Sequence, residues 1–161
     1  MPYDRDRFGG WIDADHDCQD TRSEVLAAES RAPIVFASLG ECRVLTGSWR
    51  DAYTGEVVTE AARLDVDHFV PLEAAWIAGA WRWTDEQRGS FANDLLNPEA
   101  LVAVTASANR SKGSRGPAEW KPNLRSSWCD YAVSWIAVKT RWALTVETNE
   151  RSALRTMLQG C

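Results

Sequence analysis

Residues 64–71 read LDVDHFVP, residues 101–105 read LVAVT, and residues 109–112 read NRSK. In the first stretch apolar and polar residues partly alternate, the period of a strand with one buried face, and Pro71 ends it in a loop. The second is a short run rich in Val and is the clearest strand of the chain. The third lies in a polar, basic segment, Ser107 to Gly116, which reads as a loop. Between the two strands, Glu73 to Ala80 suits a helix. Thr84 and Gln87 have capping-box spacing before another short helix to about Ala92.

Upstream, Thr21 and Glu24 show the same spacing, so a helix is expected from Thr21, carrying Val25, Leu26 and Ala27 and ended by Pro33. Residues 34–37, 42–46 and 56–59 read as short strands, with a turn over Asp51 to Gly55. Downstream, Pro117 fits the first position of a short helix through Trp120. Trp128, Tyr131, Ala132, Trp135, Ile136, Val138 and Trp142 fall near a 3.6-residue period, and a second helix is expected from about Asn149. The fold class is α+β, with additional helices and short strands around the central pair. A single domain is expected over 1–161, with a helical region at about 127–161.

Composition limits the function. The 161 residues are 45% hydrophobic and 25% charged, which excludes collagen-like, mucin-like and wholly disordered chains. No apolar run reaches the roughly 18 residues of a membrane span, and no membrane partner is expected. MPYDRDRFGG has no apolar signal core, so an exported protein would stand here in its mature form. The net charge of −5 argues against coating nucleic acid by bulk attraction but leaves room for a local basic groove. The nine tryptophans read mainly as packing, with base stacking open for one or two.

Cys18, Cys42, Cys129 and Cys161 include no C-x-x-C pair, which disfavours a zinc ribbon. Their even number and wide spacing suit two disulfides in an oxidising compartment. Of three possible pairings, Cys18–Cys42 flanks one expected helix and Cys129–Cys161 clamps the C-terminus to another. Four buried thiols are the alternative. Secretion follows from the paired form.

Only two histidines exist, which narrows any imidazole chemistry to His16 and His68. His16 reads as exposed and unassigned. An ordinary histidine, with a pKa of about 6.5, accepts a proton from water near neutrality. A hard divalent cation prefers the oxygens of Asp and Asn. The order Asp67-His68-x-x-Pro71, then Asn93, then a strand, then Asn109-Arg110-x-Lys112 resembles the HNH (ββα-metal) endonuclease family. The likeness is nearest to a branch of secreted bacterial enzymes. It is specific over about 63–122 and looser elsewhere.

The resemblance implies a disulfide-stapled ββα-metal core and a metal-dependent endonuclease acting on DNA, with RNA also open, and with low sequence specificity. His68 is then the general base. Asp67 and Asn109 are metal ligands, and Asn93 pins the loop of the base, with Asn97 as its rival. Asn109 in place of the common His favours Mg2+ or Mn2+ over zinc. Arg110, Lys112, Arg115 and Lys121 form a basic cluster for nucleic-acid phosphates. The alternative is a secreted non-catalytic module on the same scaffold, binding nucleic acid or a protein partner. Separately, Asp13, Asp15, Asp17 and Glu24 stand at positions one, three, five and twelve of an EF-hand-like loop. That spacing raises a structural Ca2+ site, although Cys18 replaces the usual glycine. A plain acidic loop is the competing reading, and a structural calcium-binding secreted domain the third functional one.

Overall fold

In the computed structural model, which describes residues 2–37, 40 and 42–161, the chain forms two small antiparallel sheets and six α-helices. The first helix, α1, spans Thr21–Glu29. Its cap is Asp20, whose carboxylate accepts from the Ser23 amide at 2.9 Å. The expected Thr21–Glu24 box does not form, because the Thr21 hydroxyl turns away to donate to Ile12 O and Asn93 Oδ1.

Strands β1 (Val35–Phe36), β2 (Val44–Arg50) and β3 (Val57–Glu60) make the first sheet, in that order. The turn after β2 follows from Asp51. Its carboxylate accepts from the Tyr53 and Thr54 amides, closing the turn, and from the amide and hydroxyl of Thr105. One buried acid thus fastens the first sheet to the end of the second.

The second sheet pairs β4 (Leu64–His68) with β5 (Leu101–Thr105), from Leu64 opposite Thr105 to His68 opposite Leu101. Every side chain of β5 is buried, as an unbroken apolar run requires. The connection holds α2 (Leu72–Ile77) and α3 (Asp85–Ala92), and the expected Thr84–Gln87 capping box is present.

Directly after β5 the chain enters α4 (Ala106–Lys112), with Thr105 as its cap. The loop expected from Ser107 to Gly116 is therefore wrong in its first half. Two of its polar side chains, Asn109 and Lys112, reach β4, while Ser107, Arg110 and Ser111 are exposed. Conversely, Pro117 to Trp120 is a turn and not a helix. The chain closes with α5 (Trp128–Arg141) and α6 (Thr148–Leu158).

Both expected disulfides are present, Cys18–Cys42 at 2.10 Å and Cys129–Cys161 at 2.09 Å. The core runs from Phe8 and Leu26 through Trp49, Tyr53 and Val104 to Tyr131 and Trp135. Three tryptophans, Trp49, Trp76 and Trp135, are buried, and Trp49 Nε1 donates to Leu26 O at 2.8 Å. Among the described residues no helix is long and apolar enough to cross a membrane.

Candidate active site around His68

His68 is the last residue of β4 and is buried. Its Nε2 lies 2.9 Å from the carbonyl of Ala92, the last residue of α3. A carbonyl only accepts, so Nε2 carries the proton and the neutral ring keeps its lone pair on Nδ1. No hydrogen bond among the described residues engages Nδ1. Burial pulls the imidazole down to about 4, the positive charges of Arg5 and Lys112 act the same way, and the Ala92 bond opposes them. The ring is therefore neutral, with Nδ1 free to accept a proton, at ordinary pH.

Two polar rungs hold β4 against α4. Asn109 Nδ2 donates to Asp65 Oδ2 at 3.0 Å. Lys112, fully buried, places Nζ 2.6 Å from Asp67 Oδ2 and 2.9 Å from the carbonyl of His68. Tyr53 adds its hydroxyl to the same Asp67 oxygen at 2.7 Å. Burial pushes the Asp67 carboxyl up and the Lys112 ammonium down, and the ion pair opposes both shifts. Asp67 Oδ1 and Asn109 Oδ1 accept no hydrogen bond among the described residues.

This corrects one expectation. Lys112, expected in a surface basic cluster, is buried. It lies on the inward face of α4, three residues after Asn109, and is a counter-ion inside the site. Arg110 is exposed. Arg115 donates Nε to Lys112 O at 3.2 Å and Nη2 to Ser111 O, so it caps the end of α4 while remaining exposed. Lys121 and Arg125 flank the Trp128 ring at 4.9 and 5.4 Å.

Asn93 follows Ala92 directly. Its Nδ2 donates to Gly10 O and Gly89 O, and its Oδ1 accepts from the Ile12 amide and the Thr21 hydroxyl. It therefore joins the N-terminal segment to the end of α3. Among the described residues Asn97 makes a local turn, accepting from the Glu99 amide. The segment that Asn93 holds carries Trp11, whose ring lies 5.1 Å from that of His68 at 15°.

Sequence reading missed Trp11, Tyr53 and Asp65. Asp65 alone left a signal, because residues two apart on a strand share a face with Asp67.

Away from this site, Asp13, Asp15 and Asp17 bring one carboxylate oxygen each within 4.8 Å of one another. Glu24 is raised by burial and by the negative charges of Asp17, Asp15 and Asp13. Cys18, at the usual glycine position, adopts φ 77°.

The matched class is a nuclease one: residues 21–157 correspond to a domain of restriction endonucleases. The chain belongs to the family described as GmrSD restriction endonucleases, C-terminal domain. It is also 46% identical over 159 residues to an uncharacterized secreted protein of the fungus Arthroderma benhamiae, a match covering 99% of this chain and 76% of that protein. No solved structure matches. The secreted relative and the two disulfides bear out the expected extracellular localisation.

Proposed function

We propose that this chain is a metal-dependent endonuclease of HNH type. It hydrolyses phosphodiester bonds in DNA with little sequence preference, and RNA is a second substrate to be tried. The observation that carries the reading is the state of His68. Its Nε2 is committed to Ala92 O, so Nδ1 is left as a base at the end of a strand–strand–helix unit. In this reading β4, β5 and α4 are the ββα-metal core, within about 63–122 of a single domain over 1–161.

The donor set fits a hard divalent cation. Asp67 Oδ1 and Asn109 Oδ1 are oxygens without hydrogen-bond partners among the described residues, on the strand and the helix that Lys112 ties together. Mg2+ or Mn2+ held there supplies positive charge for the phosphate and the departing oxygen. His68 Nδ1 takes a proton from the attacking water, the water oxygen bonds to phosphorus, the bond to the 3′ oxygen breaks, and a second water gives that oxygen its proton. The products are a 5′-phosphate and a 3′-hydroxyl. Ala92 holds the base in its tautomer, and Asn93 holds Ala92 in place. Arg110 and Arg115, which are exposed, and the half-buried Lys121 are the basic residues for phosphates, which position the strand without reading bases.

The test uses supercoiled plasmid and a structured RNA, with Mg2+, Mn2+ or EDTA. The expected result is metal-dependent cleavage, lowered by about 100-fold or more in His68→Ala. Folded wild-type protein that cleaves neither substrate, yet binds DNA in EDTA, would be the non-catalytic module instead.

A structural Ca2+ at Asp13, Asp15, Asp17 and Glu24 belongs to the same proposal. Its support is the convergence of three carboxylates beside a fourth that feels their charge. Calcium should raise the melting temperature of the wild type and leave that of an Asp15→Ala/Asp17→Ala variant unchanged. An equal response in both removes the site.

A further inference from the structure

We propose that Trp11 is a positioning residue for His68, held over the imidazole by a strap that Asn93 anchors. The inference rests on the endonuclease reading and extends the active site beyond the family-matched residues 21–157.

One hydrogen bond fixes the His68 edge but not its plane. The terminal torsion of a histidine is broad, so a ring held only at Nε2 still rocks about that contact. Two aromatic rings oppose this. Trp11 lies 5.1 Å away at 15°, and Phe91 6.5 Å away at 13°. Phe91 is buried on α3, one residue before the carbonyl that holds the ring. Trp11 comes from a separate stretch without regular secondary structure and is only partly buried, so packing alone does not place it.

What places it is hydrogen bonding on both sides. Gly10 O accepts from Asn93 Nδ2 at 3.1 Å, and the Ile12 amide donates to Asn93 Oδ1 at 3.2 Å. Ile12 O then accepts from the Thr21 amide at 2.9 Å, and the Thr21 hydroxyl returns to Asn93 Oδ1 at 2.7 Å. Residues 10 and 12 are thus fastened to one amide, and Trp11 between them has its course set. Ala92 and Asn93, adjacent in sequence, control the edge and the face of the same imidazole. The free Nδ1 is then held in one direction, and small errors in that direction are costly for proton transfer.

The test has a spectroscopic arm and a kinetic arm. The chain has two histidines, so a protein labelled only at histidine gives two sets of ring signals. In metal-free wild type the His68 ring protons should be shifted upfield by the stacked indole, with exposed His16 as internal reference. Trp11→Ala and Asn93→Ala should each move the His68 signals toward the free position and leave those of His16 unmoved.

With plasmid and metal, Trp11→Ala should lower kcat by about 3–10-fold, with KM within about twofold, and Trp11→Phe should restore most of the loss. In an Asn93→Ala background, Trp11→Ala should add nothing further, because the strap is already free. Melting curves confirm that each variant is folded.

Unmoved His68 signals in Trp11→Ala would overturn the stack. Moved signals with unchanged kcat would overturn the positioning role and leave the nuclease reading intact. A wild type that does not cleave at all would remove the nuclease reading, and this inference with it.

Discussion

Lys112 with Asp67, and Lys139 with Glu150, are two buried lysine–carboxylate pairs in one molecule, at 2.6 and 2.7 Å. The second is closed. Glu150 Oε1 takes Lys139 and the indole of Trp135, Oε2 takes Lys139 and the Glu147 amide, and Lys139 Nζ also reaches Thr145 O at 2.8 Å. Both oxygens are engaged, and the pair fastens α6 onto α5. The first pair is open. Lys112 and Tyr53 share Asp67 Oδ2, and Oδ1 has no hydrogen-bond partner among the described residues. Burying a charge is justified energetically only when its lone pairs are met. A closed pair satisfies that by itself. An open one has an oxygen left for something else, and here that oxygen lies one residue from a histidine with a free Nδ1.

The sharpest way to break this comparison is to change the two lysines alike. Lys112→Met and Lys139→Met each strand a buried carboxylate, and each should cost about 3–5 kcal/mol of stability by denaturant unfolding. Their activities should then part. Measured per folded molecule at low temperature, Lys139→Met should cleave as the wild type does. With Asp67 as the proposed metal ligand, Lys112→Met should lose about 10–100-fold, the usual effect of removing a partner that orients such a ligand. Equal activity in the two variants would mean that the open pair is as purely structural as the closed one.

The two regions also differ in how legible they were. The C-terminal helices followed from apolar periodicity, and Trp135 and Leu154 are buried where that period puts them. The Thr84–Gln87 box and the LVAVT strand were equally plain, because their signals are local. The ordered Asp67, His68, Asn93 and Asn109 emerged from chemistry and resemblance; His68 lies at the Leu101 end of the β4–β5 pair beside Ala92 and Asn93, while Asn109 bonds Asp65 nearer the other end. Helix α4 was missed because Ser107, Asn109 and Ser111 are weak helix formers, and its stability comes from Asn109 and Lys112 reaching across to β4. Trp11 was out of reach for a similar reason. Its contact with His68 spans 57 positions and depends on a side-chain amide that bonds to backbone on both sides of it, which no periodicity records.

Glu29 completes the comparison as a half-enclosed carboxylate with no ion pair among the described residues. It lies at the end of α1, where Oε2 accepts from the Ala103 amide on β5 at 3.0 Å. Burial pushes its pKa from 4.5 up to about 7, and the Ala103 bond opposes the rise only in part. The folded state therefore holds the proton more tightly than the unfolded chain does. Below pH 4.5 both states are protonated and the group has no effect. Between pH 4.5 and about 7 the unfolded chain ionises first, and stability falls as pH rises; above that the loss is complete. Glu29→Gln keeps an oxygen for Ala103 and removes the charge. Its stability should match the wild type near pH 4 and exceed it by about 1–3 kcal/mol at pH 8, read from urea unfolding at the two pH values. A gain that is the same at both pH values would show that Glu29 does not differ from the lysine-paired carboxylates in the way its burial implies.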